Sequence, residues 1–350
     1  MYTARKSVAR SATAIKSIKS VADVKNTEKT TTYIRLSDAS DHYRDKHIDD
    51  KKGWAETLAS TLERTSHTKA AARVRDCANV LFFGLHCDEK TGELKHKLRS
   101  APFCHNRHCP LCNWRRAMKN KATILSAMPA LLNEYKTARF IFLTLTVKNC
   151  ELSELRRNLH DMNKGWQRLI KRKDWPALGW IRTTEITRGK DGTAHPHFHC
   201  LLMVKSSYFK SGQYIKTTEW VKKWREALRL SYEPVCHVCS IKSKDGTKDA
   251  LASAVAEVVK YATTTEDMTK GGAAWLEEYI NQVYKLRFIA SGGVLKSILK
   301  DVRKGEDEDL VHVDESGEEN GEEQDTIVYS WNKKVIRKNG KAGAYVRPRC

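Results

Sequence analysis

Two histidines in the run HPHFH, His197 and His199, are separated by one residue, the spacing that places side chains on one face of a β-strand. Phe198 between them then faces the opposite side, which we expect to be the core. His195 could share the face of the pair, but Pro196 marks the strand entry and can turn it away. Two imidazoles on one strand are an incomplete site for a divalent cation and require a third ligand.

A hairpin could supply that third ligand. The sequence predicts strands over Gly179–Thr187 and His197–Val204, joined by turn residues at 188–192. Pairing the strands about that turn brings Glu185 roughly opposite His197. Two imidazoles and one carboxylate with open positions suit a divalent cation that acts as a Lewis acid. The alternative is a polar strand face with solvated histidines.

A second group of metal-ligand residues lies upstream, in the run CHNRHCPLC. Cys109 and Cys112 have the C-x2-C spacing that lets two thiolates reach one tetrahedral ion, and Cys104 lies within reach of both. This pattern predicts structural zinc, against the alternative of buried free thiols. The spacing leaves four candidates for the fourth ligand: Cys77, Cys87, His105 and His108.

Charge points to a polyanionic partner. The 350 residues carry 63 Lys+Arg against 42 Asp+Glu, a net charge of +21, although residues 305–325 hold 11 acids and no Lys or Arg. Without that run the net charge is +32, which favours nucleic acid through counterion release, although basic residues also promote solubility. Arg115 and Arg116, beside Trp114, are candidate phosphate contacts, but such a trio is also common on a solvated helix start.

Several classes of protein are excluded by composition. The hydrophobic fraction of 40% is ordinary for a globular protein, and no apolar run reaches the roughly 18 residues of a membrane span. The basic amino terminus has no apolar stretch typical of a secretory signal. Ten cysteines without such a signal favour metal ligation over disulfides, so we expect a soluble cytoplasmic protein without a membrane partner.

Five segments are predicted along the chain. Residues 1–52 are expected to be flexible, and residues 53–137 to form a helical, cysteine-rich module. That module contains helices near Trp54–Val74 and from Trp114 toward Tyr135, with a hairpin between them. Residues 138–303 alternate strands with helices, which predicts an α/β domain. An acidic linker, 304–325, and a basic segment, 326–350, follow.

The predicted helix at Asp249–Tyr261 contains a third constellation. Glu257 and Tyr261 are four residues apart and therefore lie on one helix face. A lone tyrosine on such a helix is more often a core or interface residue. Near a bound metal, however, its phenolate could attack a phosphodiester, and Glu257 could position or deprotonate a water.

In this order, the constellations resemble those of plasmid rolling-circle replication initiators, a branch of the HUH endonucleases. The resemblance covers roughly residues 70–300. FLTLT at Phe142–Thr146, HPHFH at 195–199 and EVVKY at 257–261 match the three nuclease motifs. The segments RDCANVLFF and FCHNRHCPLCNWRR resemble the zinc-like module that precedes the nuclease in this branch, and by that likeness Cys77 is the fourth ligand.

The resemblance implies both a fold and an activity. The fold is α/β (α+β), with a central antiparallel sheet carrying the histidines, flanking helices, and a small zinc-binding module before it. The activity is nicking of one origin strand: Tyr261 forms a 5′-phosphotyrosine and frees a 3′-OH primer, while His197, His199 and Glu185 hold Mg²⁺ or Mn²⁺. The implied partners are single-stranded or hairpin origin DNA and a host helicase.

One residue departs from the family pattern. The family commonly has a lysine three residues after the tyrosine, whereas this chain has Thr264. Lys260 could supply the missing charge, although it points to a different helix face from Tyr261. The same resemblance gives Glu257 a role in ending the reaction by hydrolysis.

Two other functions remain open from the residues. One is a transposase or mobilisation relaxase with the same chemistry on a different DNA. The other is a zinc-bearing DNA-binding regulator without catalysis. The pair Cys236 and Cys239 fits neither metal pattern, since residues three apart on a strand face opposite sides, and we expect it to pack rather than to bind a second zinc.

Overall fold

The described part of the chain contains two five-stranded antiparallel sheets with flanking helices. The computed structural model describes residues 33–39, 43–87, 94–210, 212–241, 249–259, 263–297 and 326–349. The predicted mixed α/β class, with a central antiparallel sheet and a cysteine-rich module before it, is confirmed. Within these ranges, no helix is both long and apolar enough to cross a lipid bilayer.

The elements are numbered in chain order. The strands are β1 Tyr33–Arg35, β2 Val80–Cys87, β3 Leu94–Ser100, β4 Arg139–Thr146, β5 Ala177–Arg188, β6 Ala194–Val204, β7 Cys236–Ser240, β8 Ile289–Gly293, β9 Ile327–Ile336 and β10 Ala342–Pro348. The helices are α1 Leu36–Ala39, α2 Tyr43–Leu62, α3 Thr68–Asp76, α4 Pro110–Glu134, α5 Leu155–Ile170, α6 Thr217–Leu228, α7 Asp249–Val258, α8 Thr265–Lys270 and α9 Gly272–Val283. Two 3₁₀ turns lie at Leu152–Glu154 and Ser206–Phe209.

The first sheet, which we call the histidine sheet, has the strand order β7-β4-β6-β5-β8. Strands β5 and β6 form the predicted hairpin, and their register places Glu185 opposite His197 and Thr183 opposite His199. Strand β4, which contains the FLTLT run, pairs antiparallel with the other side of β6 and brings Thr144 opposite His199. The histidines therefore sit on the central strand, with a paired neighbour on each side.

Both faces of the histidine sheet are covered by helices, and the alternation of β6 decides which residues meet which helix. Phe198 faces the buried tryptophans of α5 and α6, and its ring centroid lies 6.2 Å from that of Trp166 on α5. On the opposite face, Leu201 packs in a separate cluster with residues of α4 and α7 such as Ile124 and Val255. His197 and His199 share the face of Leu201, so they lie on the same side of the sheet as α7.

The second sheet, which we call the module sheet, has the strand order β1-β10-β9-β2-β3. Its strands include residues from both ends of the chain, where we predicted a flexible segment and a separate basic segment. Several described elements lie inside the segment 1–52 that we predicted to be flexible, including β1, which pairs with β10, and α2, which starts at Tyr43. The basic segment 326–350 supplies β9 and β10, and β9 pairs with β2. Such pairings join residues roughly 245 to 315 positions apart, which no local pattern reveals.

Helix boundaries also differ from the predicted ones, for local reasons. The helix expected over Trp54–Val74 is two helices, α2 and α3, separated where Thr65 Oγ1 donates to the Leu62 carbonyl. Helix α4 starts four residues earlier than expected, at Pro110, since proline favours the first helical position. Helix α9 ends at Val283, and β8 follows it as an edge strand.

Asp49 on α2 fastens the carboxyl-terminal hairpin β9–β10 to the cysteine module. Its Oδ1 accepts a hydrogen bond from the Tyr345 amide (2.9 Å), and the Tyr345 hydroxyl donates to the carbonyl of Ala78, the residue after Cys77. Burial raises the pKa of Asp49 to about 6, against opposing contributions from the Tyr345 amide and Arg337. Folding therefore favours the protonated carboxyl.

This raised pKa gives a pH prediction. Because the native state binds the proton more tightly, stability should fall as the pH rises from about 4 to about 6, and the deficit should remain above that window. Asp49→Asn should therefore raise the free energy of unfolding at pH 7.5 by about 1–3 kcal/mol and change little near pH 4. Urea unfolding at both pH values measures the difference.

The neighbouring Asp50→Asn is the matched control. Burial raises the pKa of Asp50, but hydrogen bonds from Arg337 (2.8 Å) and Lys341 (3.2 Å) outweigh it and hold that pKa below its ordinary value. The Asp50 variant should therefore lose stability at pH 7.5. If both variants shifted stability in the same direction, burial of the Asp49 charge would not be the cause.

Candidate active site

Glu185, His197 and His199 converge above the histidine sheet. Glu185 Oε2 lies 2.7 Å from His199 Nε2 and 3.2 Å from His197 Nε2. One ligand atom from each residue lies within 4.8 Å of the others. Ligands about 2.1 Å from a metal and at right angles to each other are roughly 3 Å apart, so this donor set matches the spacing that a small divalent cation requires. The sequence prediction of these three residues agrees with this grouping.

Neighbouring groups orient the two imidazoles. His197 Nδ1 lies 3.3 Å from the His195 carbonyl, to which it can donate, and His199 Nδ1 lies 3.4 Å from Thr144 Oγ1. With Nδ1 engaged, each ring directs Nε2 toward Glu185, the arrangement that outer-shell hydrogen bonds give to metal-binding histidines. His195 itself is outside the set, because its Nδ1 lies 2.7 Å from Asn149 Oδ1.

Glu185 is held in its charged form. Burial raises the pKa of its carboxyl, but hydrogen bonds from His197 and His199 outweigh burial and leave that pKa below its ordinary value. The carboxylate is thus ionised at neutral pH, as a metal ligand must be. The two histidine side chains are only 12% and 11% exposed, so the centre is accessible from one side at most.

Helix α7 ends beside this centre. Thr183 Oγ1 donates to the carbonyl of Val258, and Thr183 is the direct cross-strand neighbour of His199. Glu257, one residue earlier, is half-buried on the same helix. Lys260 and Tyr261 lie outside the described residues. The chain resumes at Thr263, which is buried and lies 2.7 Å from the hydroxyl of Tyr279 on α9.

Thr264, which stands where the resembling family commonly has lysine, has a defined local role. It is the N-cap of α8, and its Oγ1 accepts a hydrogen bond from the Asp267 amide at 3.1 Å. A lysine has no side-chain oxygen and could not cap this helix in the same way. Three residues after Tyr261, this chain therefore has the N-cap of a helix where the resembling family commonly has a positive charge.

Four sulfurs form the second metal-ligand set. Cys77, Cys104, Cys109 and Cys112 are all buried, with Sγ atoms within 4.8 Å of one another. Cys112 Sγ lies 3.6 Å from the sulfurs of both Cys77 and Cys104. Tetrahedral zinc with bonds of 2.3 Å separates its sulfurs by about 3.8 Å, so the cluster fits that ion. Within the described residues, Cys77 is the fourth member, and His105 and His108 are not.

The backbone of the cysteine cluster also fits a structural site. His105, after Cys104, and Ala78, after Cys77, have left-handed conformations with φ of 55° and 50°. The Asn106 amide donates to Cys104 Sγ at 3.5 Å. A metal at this cluster would be bound by the thiolate forms of the cysteines.

Comparison with known proteins assigns the chain to a family. A family model described as "Replication protein" matches residues 95–339. A Protein rep from Lactiplantibacillus plantarum is 38% identical over 305 residues, which cover 83% of this chain and 92% of that protein. The chain belongs to this family of replication proteins.

Other relatives agree with this assignment. A Protein rep from Lentilactobacillus hilgardii is 33% identical over 297 residues, covering 81% of this chain and 93% of that protein. A Replication protein from Staphylococcus aureus is 32% identical over 227 residues, covering 61% of this chain and 96% of that protein. No solved structure matches the chain. The resemblance to plasmid replication initiators is thereby confirmed.

The two arginines predicted to contact DNA support the cysteine loop of the replication protein. Arg115 is 4% exposed, with its guanidinium 5.8 Å from the centroid of the Phe103 ring. Arg116 donates to the carbonyls of His105 (2.7 Å) and Asn106 (3.4 Å). A phosphate contact by Arg115 would require it to leave its buried position, so DNA contact by this pair stays a prediction. Cys236 is buried and Cys239 is exposed, in agreement with opposite strand faces.

A bridge between the cysteine loop and the histidine sheet was not predicted. His108 packs edge-on against Tyr279 at 5.7 Å between ring centroids, and Arg107 donates to the carbonyls of Val283 and Leu286. On α9, Trp275 stacks on Tyr279 and donates to the Gly192 carbonyl in the β5–β6 turn. Helix α9 thus contacts both the cysteine loop and the turn of the β5–β6 hairpin. Its aromatic residues look like ordinary core residues in the sequence, so no motif marks them.

Proposed function

We propose that this replication protein initiates rolling-circle replication of a plasmid by nicking one strand at the origin. The observation that carries the proposal is the Glu185–His197–His199 set, which lies on the face of the sheet where α7 ends. Val258, whose carbonyl binds the cross-strand neighbour of His199, precedes Tyr261 by three residues. A metal-ligand set beside the end of the helix that precedes Tyr261 in the chain fits what metal-assisted phosphoryl transfer requires.

In the proposed reaction, the Tyr261 phenol gives up its proton and its oxygen bonds to the scissile phosphorus. The bond from phosphorus to the 3′ oxygen breaks, and that oxygen takes a proton to become the 3′-OH primer. The phosphate remains joined to Tyr261 as a 5′-phosphotyrosine. Because one phosphoester replaces another, the step needs no nucleotide cofactor.

The other site residues have supporting roles in this proposal. When bound, Mg²⁺ or Mn²⁺ supplies Lewis acidity at the scissile phosphate. His197, His199 and Glu185 hold the ion, and Glu257 positions the water that later releases the protein from DNA. Lys260 neutralises phosphate charge. In the resembling family, that role would fall to the lysine at the position that Thr264 occupies here. The partners are origin DNA, single-stranded or in a hairpin, and a host helicase, and Zn²⁺ in the cysteine set stabilises the module.

Mapping the covalent adduct tests the proposal. The full-length protein is incubated with Mn²⁺ and a single-stranded origin oligonucleotide, and the modified peptide is identified by mass spectrometry. We expect an adduct on Tyr261, no adduct in Tyr261→Phe, and normal reaction in Tyr284→Phe, a control on a tyrosine that is 60% exposed. Nicking by Tyr261→Phe at the wild-type rate would refute the proposal and favour the non-catalytic regulator. Cleavage confined to a transfer origin or transposon end would favour the relaxase or transposase.

Tyr279 gives a further prediction about positioning. Its hydroxyl binds Thr263, two residues after Tyr261, so Tyr279→Phe and Thr263→Val should each lower the kcat for nicking about tenfold, because small misplacements of reacting groups are costly. The double variant should be no slower than either single variant, and Thr263→Ser should retain activity. Single-turnover nicking at saturating DNA separates this loss from a change in affinity.

The matched control is Tyr345→Phe, which removes a buried tyrosine hydroxyl bonded to Ala78 in the module sheet. That variant should lose stability but keep its kcat. Equal kcat losses in the Tyr279 and Tyr345 variants would show that general destabilisation, rather than placement of the Tyr261 segment, is responsible.

A further inference from the structure

An aromatic cluster follows the carboxyl end of β6, outside the metal-ligand sets. Phe209 and Tyr214 are 40% and 42% exposed, with ring centroids 6.3 Å apart and planes inclined by only 32°. Tyr208 is buried beneath them, 5.1 Å from Phe209 and 5.5 Å from Tyr214. We call these three residues the aromatic platform. The rings of Phe209 and Tyr214 expose their π-faces and are supported from below by Tyr208, so they form one surface rather than two isolated side chains.

The surroundings of the aromatic platform are basic. Residues 205–218 contain three lysines and no acidic residue, and Lys205, Lys210 and Lys216 are all exposed. The nearest acid in sequence, Glu219, accepts a hydrogen bond from the Lys216 amide as part of the start of α6. An apolar protein partner would be expected to meet an apolar surface with a mixed rim, whereas exposed rings among lysines match a polyanion that carries aromatic groups.

We propose that the aromatic platform binds single-stranded DNA by stacking bases on Phe209 and Tyr214 while the lysines contact phosphates. Stacking on aromatic side chains is the sequence-tolerant way in which proteins hold single strands, and duplex DNA does not expose its base faces. The location of this second contact region rests on the proposed nicking function, since the same DNA strand would pass the histidines.

The geometry of β6 sets the length of DNA that can use both regions. Val204, at the end of β6, is five residues or about 17 Å along the strand from His199. The platform lies beyond Val204 on the α6 side of the sheet, where Tyr208 interacts with Trp220, so the path from the histidine face is longer than that. Only an oligonucleotide of several nucleotides can span that distance, so the contribution of the aromatic platform should depend on strand length when the other end is anchored at the metal centre.

Binding of labelled oligonucleotides to the full-length protein tests the inference. Fluorescence anisotropy is measured with Mn²⁺ in the Tyr261→Phe background, which keeps the metal ligands but removes the proposed nucleophile, on single strands of 4 to 24 nucleotides containing the origin nick site at one end. Phe209→Ala and Tyr214→Ala should each weaken binding of the long strands about 5- to 100-fold, with little effect on the shortest strands and none on a duplex. Lys210→Ala should instead reduce the salt dependence of binding by about one phosphate contact.

Tyr284→Ala is the matched control, because Tyr284 is an exposed tyrosine elsewhere on the surface. It should bind all strands as the wild type does. Three results would overturn the inference: unchanged affinity in both aromatic variants, an equal loss on the shortest and longest strands, or a change of oligomeric state on sedimentation, which would assign the platform to a second copy of the chain. The Tyr261 adduct assay is independent of these outcomes, so it separates failure of this inference from failure of the proposed function.

Discussion

His199→Ala is expected to abolish Mn²⁺ binding at the histidine sheet and to slow nicking on the order of a thousandfold, since a Lewis acid contributes several kcal/mol to phosphoryl transfer. His199 is the more buried of the two histidines and the closer to Glu185, at 2.7 Å. Its loss removes one of three ligands from a central strand that cannot supply a replacement. Isothermal titration with Mn²⁺ and single-turnover cleavage of an origin oligonucleotide measure the two effects separately.

His195→Ala is the control for that experiment, because His195 belongs to the same HPHFH run but lies against Asn149 and outside the ligand set. It should keep Mn²⁺ affinity within a few-fold of the wild type. Loss of Mn²⁺ binding in His195→Ala, together with its retention in His199→Ala, would assign the cation to a different set of ligands and contradict the geometry of the β5–β6 hairpin.

The metal-ligand sets could be predicted from the sequence because their geometry is local. The alternation of a strand fixes the common face of His197 and His199, and a short hairpin fixes Glu185 opposite them. The C-x2-C spacing likewise fixes Cys109 and Cys112. For Cys77, spacing left several candidates, and the family resemblance selected the residue that the structure brings to the cluster.

The arrangement around those sets could not be predicted, since it depends on contacts between distant parts of the chain. The pairing of β9 with β2 and of β1 with β10 completes a sheet from segments that we expected to be flexible or separate. Arg115 resembles a phosphate contact in sequence, yet folding buries it against Phe103. Thr183 and Tyr279 gain their roles only through the placement of α7 and α9, which no periodicity encodes.

The cysteine module is coupled to the histidine sheet through side chains, which would give a metal bound in the module a consequence beyond local folding. The loop that contains Cys104 and Cys109 also contains Arg107 and His108, which contact α9 and the chain after it. A loop that loses its metal would release these contacts together, because His108 is buried and its contact with Tyr279 depends on the conformation of the loop. Loss of the loop conformation in the module should therefore weaken DNA binding through the contacts that the loop makes with α9.

Cys109→Ser should abolish the zinc binding that we propose for the cysteine set and lower the melting temperature by several degrees or more, because zinc binding by such sites contributes about 10 kcal/mol to folding of the ligand segment. Origin affinity should fall together with the metal, whereas the chemical step of the protein that remains folded should change less. Metal analysis by mass spectrometry, calorimetry and oligonucleotide binding give the three measurements on one preparation.

Cys236→Ser is the matched control, since Cys236 is as buried as the cluster cysteines but lies outside it. The variant places a hydroxyl in an apolar site, which should cost about 1–3 kcal/mol, and it should keep the full zinc content. If Cys109→Ser and Cys236→Ser lost the same stability and both kept their zinc, the four sulfurs would be packing residues. A zinc loss confined to Cys109→Ser would instead show that the cation holds the loop, because burial alone treats the two thiols alike.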